Sequence, residues 1–159
     1  QFNDRAAFFS HVDNIINKRE NISVYKKLDN SIVMRKLSDS HIGFLPTWAD
    51  TYGYSVLEMQ SEGIPVITSN VRALSEINYS QLLINIPTNQ FGEIVINSEK
   101  QVEYVSRLII DGIKDNIKLL FEDRRLLAKL SRVVRKEIIK EHSPDDYFKR
   151  LLNTFISHE

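Results

Sequence analysis

Cysteine is absent from this 159-residue chain, and with it go disulfides, thiolate nucleophiles and cysteine metal sites. That absence fits a reducing compartment. Long apolar runs are missing too: the longest fall far short of the roughly 20 residues a membrane span needs. Net charge is also lacking, because 21 basic side chains cancel 21 acidic ones, so no overall field points to nucleic acid. There is no Asp-x-Asp triplet, and the histidines at 11, 41, 142 and 158 are scattered without ligand spacing, so no metal site is expected. The opening stretch, Gln1 to Arg5, has neither a start methionine nor a signal-peptide pattern and reads as a cut inside a longer chain. Internal repeats, linkers and low-complexity tracts are lacking as well.

The remaining composition, 42% hydrophobic and 26% charged, is that of an ordinary globular protein. The length suits one domain, 1–159, able to bury most of its apolar surface without a staple. Phe2, Ala6, Phe9, Val12, Ile15 and Ile16 recur at spacings of three and four and predict a helix over 2–19, ended by Asn21. Ile22 to Lys26 reads as a short strand, and 30–40 as a helix with Ile32, Val33 and Leu37 inward. Ile42 to Leu45 is an apolar run suited to a strand covered on both faces, closed by Pro46.

A polar and aromatic loop over 47–53 follows, then a helix from Tyr54 to Gln60 stopped by Gly63. Pro65 opens a strand at Val66-Ile67-Thr68. Strand, loop, helix and strand make a βαβ unit with parallel strands. A loop or short helix runs on to Ile77. Leu82 to Ile86 and Glu93 to Ile96 are further strand candidates. Ser98 with Gln101 forms a capping box that starts a long helix with Val102, Val105, Leu108 and Ile109 inward. Residues 122–141 give a helix burying Leu126, Leu127, Leu130, Val133, Val134 and Ile138. Ser143-Pro144 caps a last one, whose expected buried stripe is Phe148, Leu151, Leu152 and Phe155. Strands interleaved with helices, then a helical tail, argue for an α/β sandwich.

The βαβ unit carries the candidate chemistry. In open α/β sheets ligands bind beyond the carboxyl ends of the strands. A helix opening there offers unpaired N–H groups and partial positive charge, which suits a diphosphate. Gly53 lets backbone approach a ligand closely. Asp50 and Glu58 flank this anion site, where carboxylates make sense as acceptors for ribose and sugar hydroxyls. Each residue also has a plainer reading. Asp50 can be a loop or N-cap acid, Glu58 a solvent-facing helix residue, Gly53 a turn glycine. Trp48 and Tyr52 can be loop packing rather than a sugar platform, Glu76 a helix cap, and Lys26-Lys27 and Arg35-Lys36 solvated faces.

Phe44-Leu45-Pro46-Thr47, then Asp50-Thr51-Tyr52-Gly53-Tyr54-Ser55-Val56-Leu57-Glu58-Met59, then Gly63-Ile64-Pro65-Val66-Ile67-Thr68-Ser69-Asn70-Val71, then Leu74-Ser75-Glu76-Ile77, resembles the C-terminal donor-binding domain of group 1 glycosyltransferases. Those are retaining enzymes of GT-B fold whose signature is two acids with seven residues between them, matched here by Asp50 and Glu58. The resemblance implies a Rossmann-like parallel sheet flanked by helices, the C-terminal half of a GT-B fold with a helical tail. It implies Asp50 beside the reacting carbon of the donor sugar, the Tyr52 and Gly53 amides on sugar hydroxyls, the Tyr54 and Ser55 amides on the phosphates, and Glu58 on the ribose. The chain departs from the family at three places. Asp50 replaces the usual Glu, Arg72-Ala73 replaces a frequent Gly pair, and the family's diphosphate-binding Arg and Lys would precede Gln1.

The implied function is a metal-independent transfer of a hexosyl-like group, in carbohydrate biosynthesis, from a nucleoside diphosphate sugar to a hydroxyl acceptor. The acceptor would be a sugar, a lipid-linked molecule or a protein, held by an N-terminal domain outside this sequence, so the chain alone is expected to be inactive. No nucleic acid and no transmembrane segment are expected, and the implied location is cytoplasmic or peripheral at a membrane face. Two alternatives stand beside this reading: a sugar-nucleotide epimerase of the same fold, and a non-catalytic interaction module using the same surface.

Overall fold

The computed structural model describes residues 5–156. Phe2, His158 and the proposed cut at Gln1 lie outside them. By its backbone packing the chain divides into two compact units, Gln1–Val33 and Met34–Glu159.

The first unit contains helix α1, Arg5–Asn17. Of its expected inward stripe, Val12 and Ile16 are half-buried, whereas Ala6, Phe9 and Ile15 are exposed. The strand expected at 22–26 is not formed. Its residues are exposed, and no described strand pairs with them. A β-branched run becomes a strand only where a ladder partner takes up its N–H and C=O groups. Helix α2, Asn30–Ser38, has residues on both sides of the division and half-buries Ile32, Val33 and Leu37.

The second unit is α/β. Strands β1 (Gly43–Leu45), β2 (Val66–Ser69) and β3 (Leu82–Ile84) form a parallel sheet in the order β1-β2-β3. Gly43 pairs with Val66, and Ile67 with Leu82. Parallel strands need crossovers, supplied by helix α3 (Tyr54–Ser61) and the short helix α4 (Leu74–Ile77). Helices α5 (Glu99–Glu122), α6 (Arg124–Glu141) and α7 (Pro144–Ile156) complete the chain order.

Apolar side chains cover both faces of the central strand. Val66 packs with Val56, Leu74, Ile77 and Val105, while Ile67 packs with Leu82, Ile84, Leu120 and the half-buried Leu126, Leu127 and Leu130. All four residues of β2 are buried. The edge strand β1 differs from expectation. Gly43 and Leu45 face the core, but Phe44 is 42% exposed, because successive strand residues point to opposite faces and no described neighbour covers that one.

Three further differences share one cause. Glu93 to Ile96 forms no ladder, yet Ile94 and Ile96 pack half-buried on the core. Val102 is 40% exposed, one turn ahead of the buried Val105 and Ile109. On α7, Phe148, Leu151, Leu152 and Phe155 are exposed rather than buried. Periodicity specifies an amphipathic element, and what covers it depends on the neighbours.

The caps follow the sequence closely. After α3, Gly63 at φ 77° gives its N–H to the Gln60 carbonyl, and Ile64 gives its own to the Met59 carbonyl, the paired bonds of a Schellman stop. Ser98 Oγ accepts from the Gln101 N–H, and the Gln101 side chain reaches back to the Asn97 N–H, one residue before the cap, rather than to Ser98 itself. Asp123 caps α6 through the Arg125 and Leu126 N–H groups at 3.0 and 2.9 Å.

A buried polar cluster ties α4 to β2. Asn78, fully buried, donates from Nδ2 to the Val66 carbonyl and to Thr68 Oγ1, both at 2.9 Å, and accepts from the Ser80 N–H and hydroxyl. Gln60, also fully buried, donates to the Ile77 carbonyl at 2.9 Å and accepts the Tyr79 N–H at 2.8 Å. The Tyr79 hydroxyl meets His142 Nε2 at the end of α6, and burial, reinforced by Glu141, pushes this phenol above its ordinary range. Removing one member of such a cluster strands the others. Asn78→Ala is expected to lower unfolding free energy in urea by about 2–4 kcal/mol; a loss below ~1 kcal/mol would show that the cluster contributes no more than an exposed hydrogen bond.

Candidate functional site

The sheet points its carboxyl ends toward three loops: 46–53 after β1, 70–73 after β2, and 85–92 after β3. Side chains at the end of β2 brace these loops. Ser69 donates its hydroxyl to the Thr47 carbonyl in the first loop. Asn70 accepts the Ile86 N–H at 2.9 Å and gives its own N–H to the Ile84 carbonyl at 3.2 Å. Thr47 Oγ1 and Ala49 close a local turn between them.

Gly53 ends the first loop and caps α3. It is buried, with φ 82° and ψ 41°, the left-handed region where a side chain is strained. A Cβ there would also lie 2.5 Å from Leu74 Cδ2 and 2.9 Å from Ile77 Cδ1. The Gly53 carbonyl accepts from Val56 and Leu57 at 2.9 and 3.3 Å. Among the described residues the Gly53, Tyr54 and Ser55 N–H groups have no hydrogen-bond partner. Three consecutive donors are therefore left open at a helix N-terminus, where the helix dipole concentrates positive potential.

Asp50 is half-buried and not idle: its Oδ1 accepts the Tyr52 N–H at 3.0 Å, an Asx turn. In this conformation the Tyr52 amide, expected to meet a sugar hydroxyl, is already engaged. The Tyr52 and Tyr54 rings lie 5.2 Å apart at 49°, and Tyr54 is 71% exposed. Glu58 is exposed, four residues beyond Tyr54, so the two share one face of α3 a turn apart. Its carboxylate has no partner among the described residues. Loop and helix opening thus gather Asp50, Gly53, Tyr54 and Ser55, with Glu58 behind them on the same helix.

Beside this loop lies a cleft of about 730 Å³ at the ends of β2 and β3. Thr51, Asn70, Arg72, Glu76, Asn85 and Gln90 contribute polar groups to it, and Phe91 an exposed ring. Arg72, at φ 46°, is pinned twice: its N–H donates to the Gly92 carbonyl at 2.8 Å, and its guanidinium pairs with Glu93. Where the family pattern has glycine, this arginine therefore adds no unpaired charge. Residues 85–92 form this wall outside the βαβ motif, and Asn89 and Gly92 are the turn signal that marks it in the sequence. Asn89 Oδ1 accepts from Phe91 and Glu93 at 2.9 and 3.0 Å, and the Gly92 N–H closes the turn onto the Asn89 carbonyl.

No group of three or more metal-ligating side chains is assembled among the described residues, and no described helix is long and apolar enough to cross a membrane. Comparison of the chain with protein-family models, curated proteins and solved structures found no match.

Two penalties meet at Gly53, a left-handed backbone and a filled space. Gly53→Ala is expected to cost about 2–4 kcal/mol in chemical unfolding. Amide exchange at Val56 and Leu57, whose bonds depend on the Gly53 carbonyl, should accelerate in the variant; unchanged stability and exchange would show that the loop tolerates another geometry.

Proposed function

We propose that this chain is the donor-binding part of a retaining glycosyltransferase, the C-terminal half of a GT-B fold, and that it holds a nucleoside diphosphate sugar over the opening of α3. The observation that carries this reading is the run of three unpartnered N–H groups at Gly53, Tyr54 and Ser55, at the carboxyl edge of a parallel sheet. The motif from Phe44 to Ile77 supports it, as does the placement of Asp50 and Glu58 around that opening.

Chemistry follows from the charges. When the bond between the anomeric carbon and the diphosphate breaks, negative charge grows on the departing diphosphate. The α3 N–H groups and dipole stabilise it without a metal. The acceptor hydroxyl bonds to the same carbon on the face the diphosphate leaves, and its proton passes to the leaving group. Asp50 releases the Tyr52 N–H when the sugar arrives: the carboxylate takes a sugar hydroxyl, and the freed amide donates to another. Glu58 accepts from the ribose hydroxyls. With Arg72 committed to Glu93, cationic help for the diphosphate comes from elsewhere.

Two-dimensional NMR titration with UDP, GDP, ADP and inorganic pyrophosphate tests the reading. The Gly53, Tyr54 and Ser55 amide resonances should move at millimolar ligand or below. Glu58→Ala should weaken a nucleoside diphosphate ~10-fold, the effect of a lost charge-assisted hydrogen bond, and leave pyrophosphate unaffected. Silence of those amides toward every diphosphate would sink the proposal. A Glu58→Ala variant that binds nucleotide normally would remove Glu58 from the donor site.

A further inference from the structure

Helix α6 carries seven basic side chains against two acidic ones in a chain whose net charge is zero. At about 100° per residue, Arg125, Lys129, Arg132 and Lys136 fall on one line, with Arg135 and Ile139 beside it. All are exposed, and the opposite side of the helix buries Val134 and Ile138. Lys140 pairs with Glu137 and Glu141. Among the described residues no carboxylate lies within ion-pair distance of Arg125, Lys129, Arg132, Arg135 or Lys136. Like charges four residues apart repel, so folding gains nothing from grouping them. An ordinary surface helix intersperses both signs.

We infer that this face of α6 docks on the surface of an anionic lipid bilayer. The inference is independent of the donor site. Charge complementarity selects an anionic partner, and three features favour lipid over nucleic acid. The cationic line is straight along an 18-residue helix. No aromatic side chain on α6 offers a base a stacking platform. Apolar groups accompany the charge: Ile139 is 64% exposed among the cations, and α7, which follows at once, presents Phe148 and Phe155 to solvent at 59% and 68%. A polybasic face with an adjoining amphipathic helix supplies the two signals that interfacial attachment needs.

Co-sedimentation of this chain with vesicles tests the inference. It should partition onto phosphatidylcholine vesicles containing phosphatidylglycerol, not onto phosphatidylcholine alone, and be released by ~0.5 M salt. The variant Arg132→Glu/Arg135→Glu/Lys136→Glu should bind roughly a hundredfold more weakly, with unchanged circular dichroism. All three positions are exposed, and salt release reads the same charges without any substitution. Absence of partition at low salt, equal binding to neutral vesicles, or an unaffected triple variant would overturn it. So would retention of duplex or single-stranded DNA by this face in preference to the vesicles.

Discussion

Asn78 gives both hydrogens of its amide to β2, one to the Val66 carbonyl and one to Thr68, while its oxygen takes the Ser80 N–H and hydroxyl. The placement of α4 against the sheet rests on this buried side chain. It fixes the turn after α4 against the middle strand, and Gln60 fixes the same turn against the end of α3. Leu74 and Ile77, which wall the space around Gly53, belong to the helix that this turn terminates. The left-handed glycine therefore owes its surroundings to a hydrogen-bond cluster on the far side of α4. An unpaired member would cost more than its bond contributes, so the cluster specifies one arrangement rather than several.

The open end of α3 gains its character from what its neighbours decline to do. An ordinary N-cap side chain would have satisfied one of the first amides. Glycine at the cap has none to offer, and Asp50, the nearest acid, spends its oxygen on Tyr52. The result is positive potential beside a half-buried carboxylate. Arg72 is held by Glu93 and Gly92, so it shapes the cleft wall without drawing anions into it.

The βαβ core was legible because punctuation surrounds it. Pro46, Gly63 and Pro65 bound the elements, and β2 is a β-branched run with no polar alternation before Thr68, as a strand buried on both faces requires. Long helices were legible from apolar spacing and from Ser98 and Asp123. What was not legible was partnership. Ile22 to Lys26 and Glu93 to Ile96 have the residues of strands but lack a ladder, and α7 has a core-like stripe with nothing described upon it. Around the loop and the opening of α3, the sequence shows which residues stand there but not which hydrogen bonds they make. The spacing of Asp50 and Tyr52 is that of an Asx turn, yet the sequence does not say whether a ligand or the chain's own amide holds the carboxylate.

Ser131 on α6 donates its hydroxyl to the Gly63 carbonyl just behind α3, at 2.6 Å. That contact, with the Schellman stop, holds the rear of the helix, while its front is held by packing alone, Gly53 against Leu74 and Ile77 and Val56 fully buried. The seven residues of 47–53 thus run between two fixed points, the Thr47 carbonyl held by Ser69 and the buried Gly53, and the open N–H groups face out from the second of them.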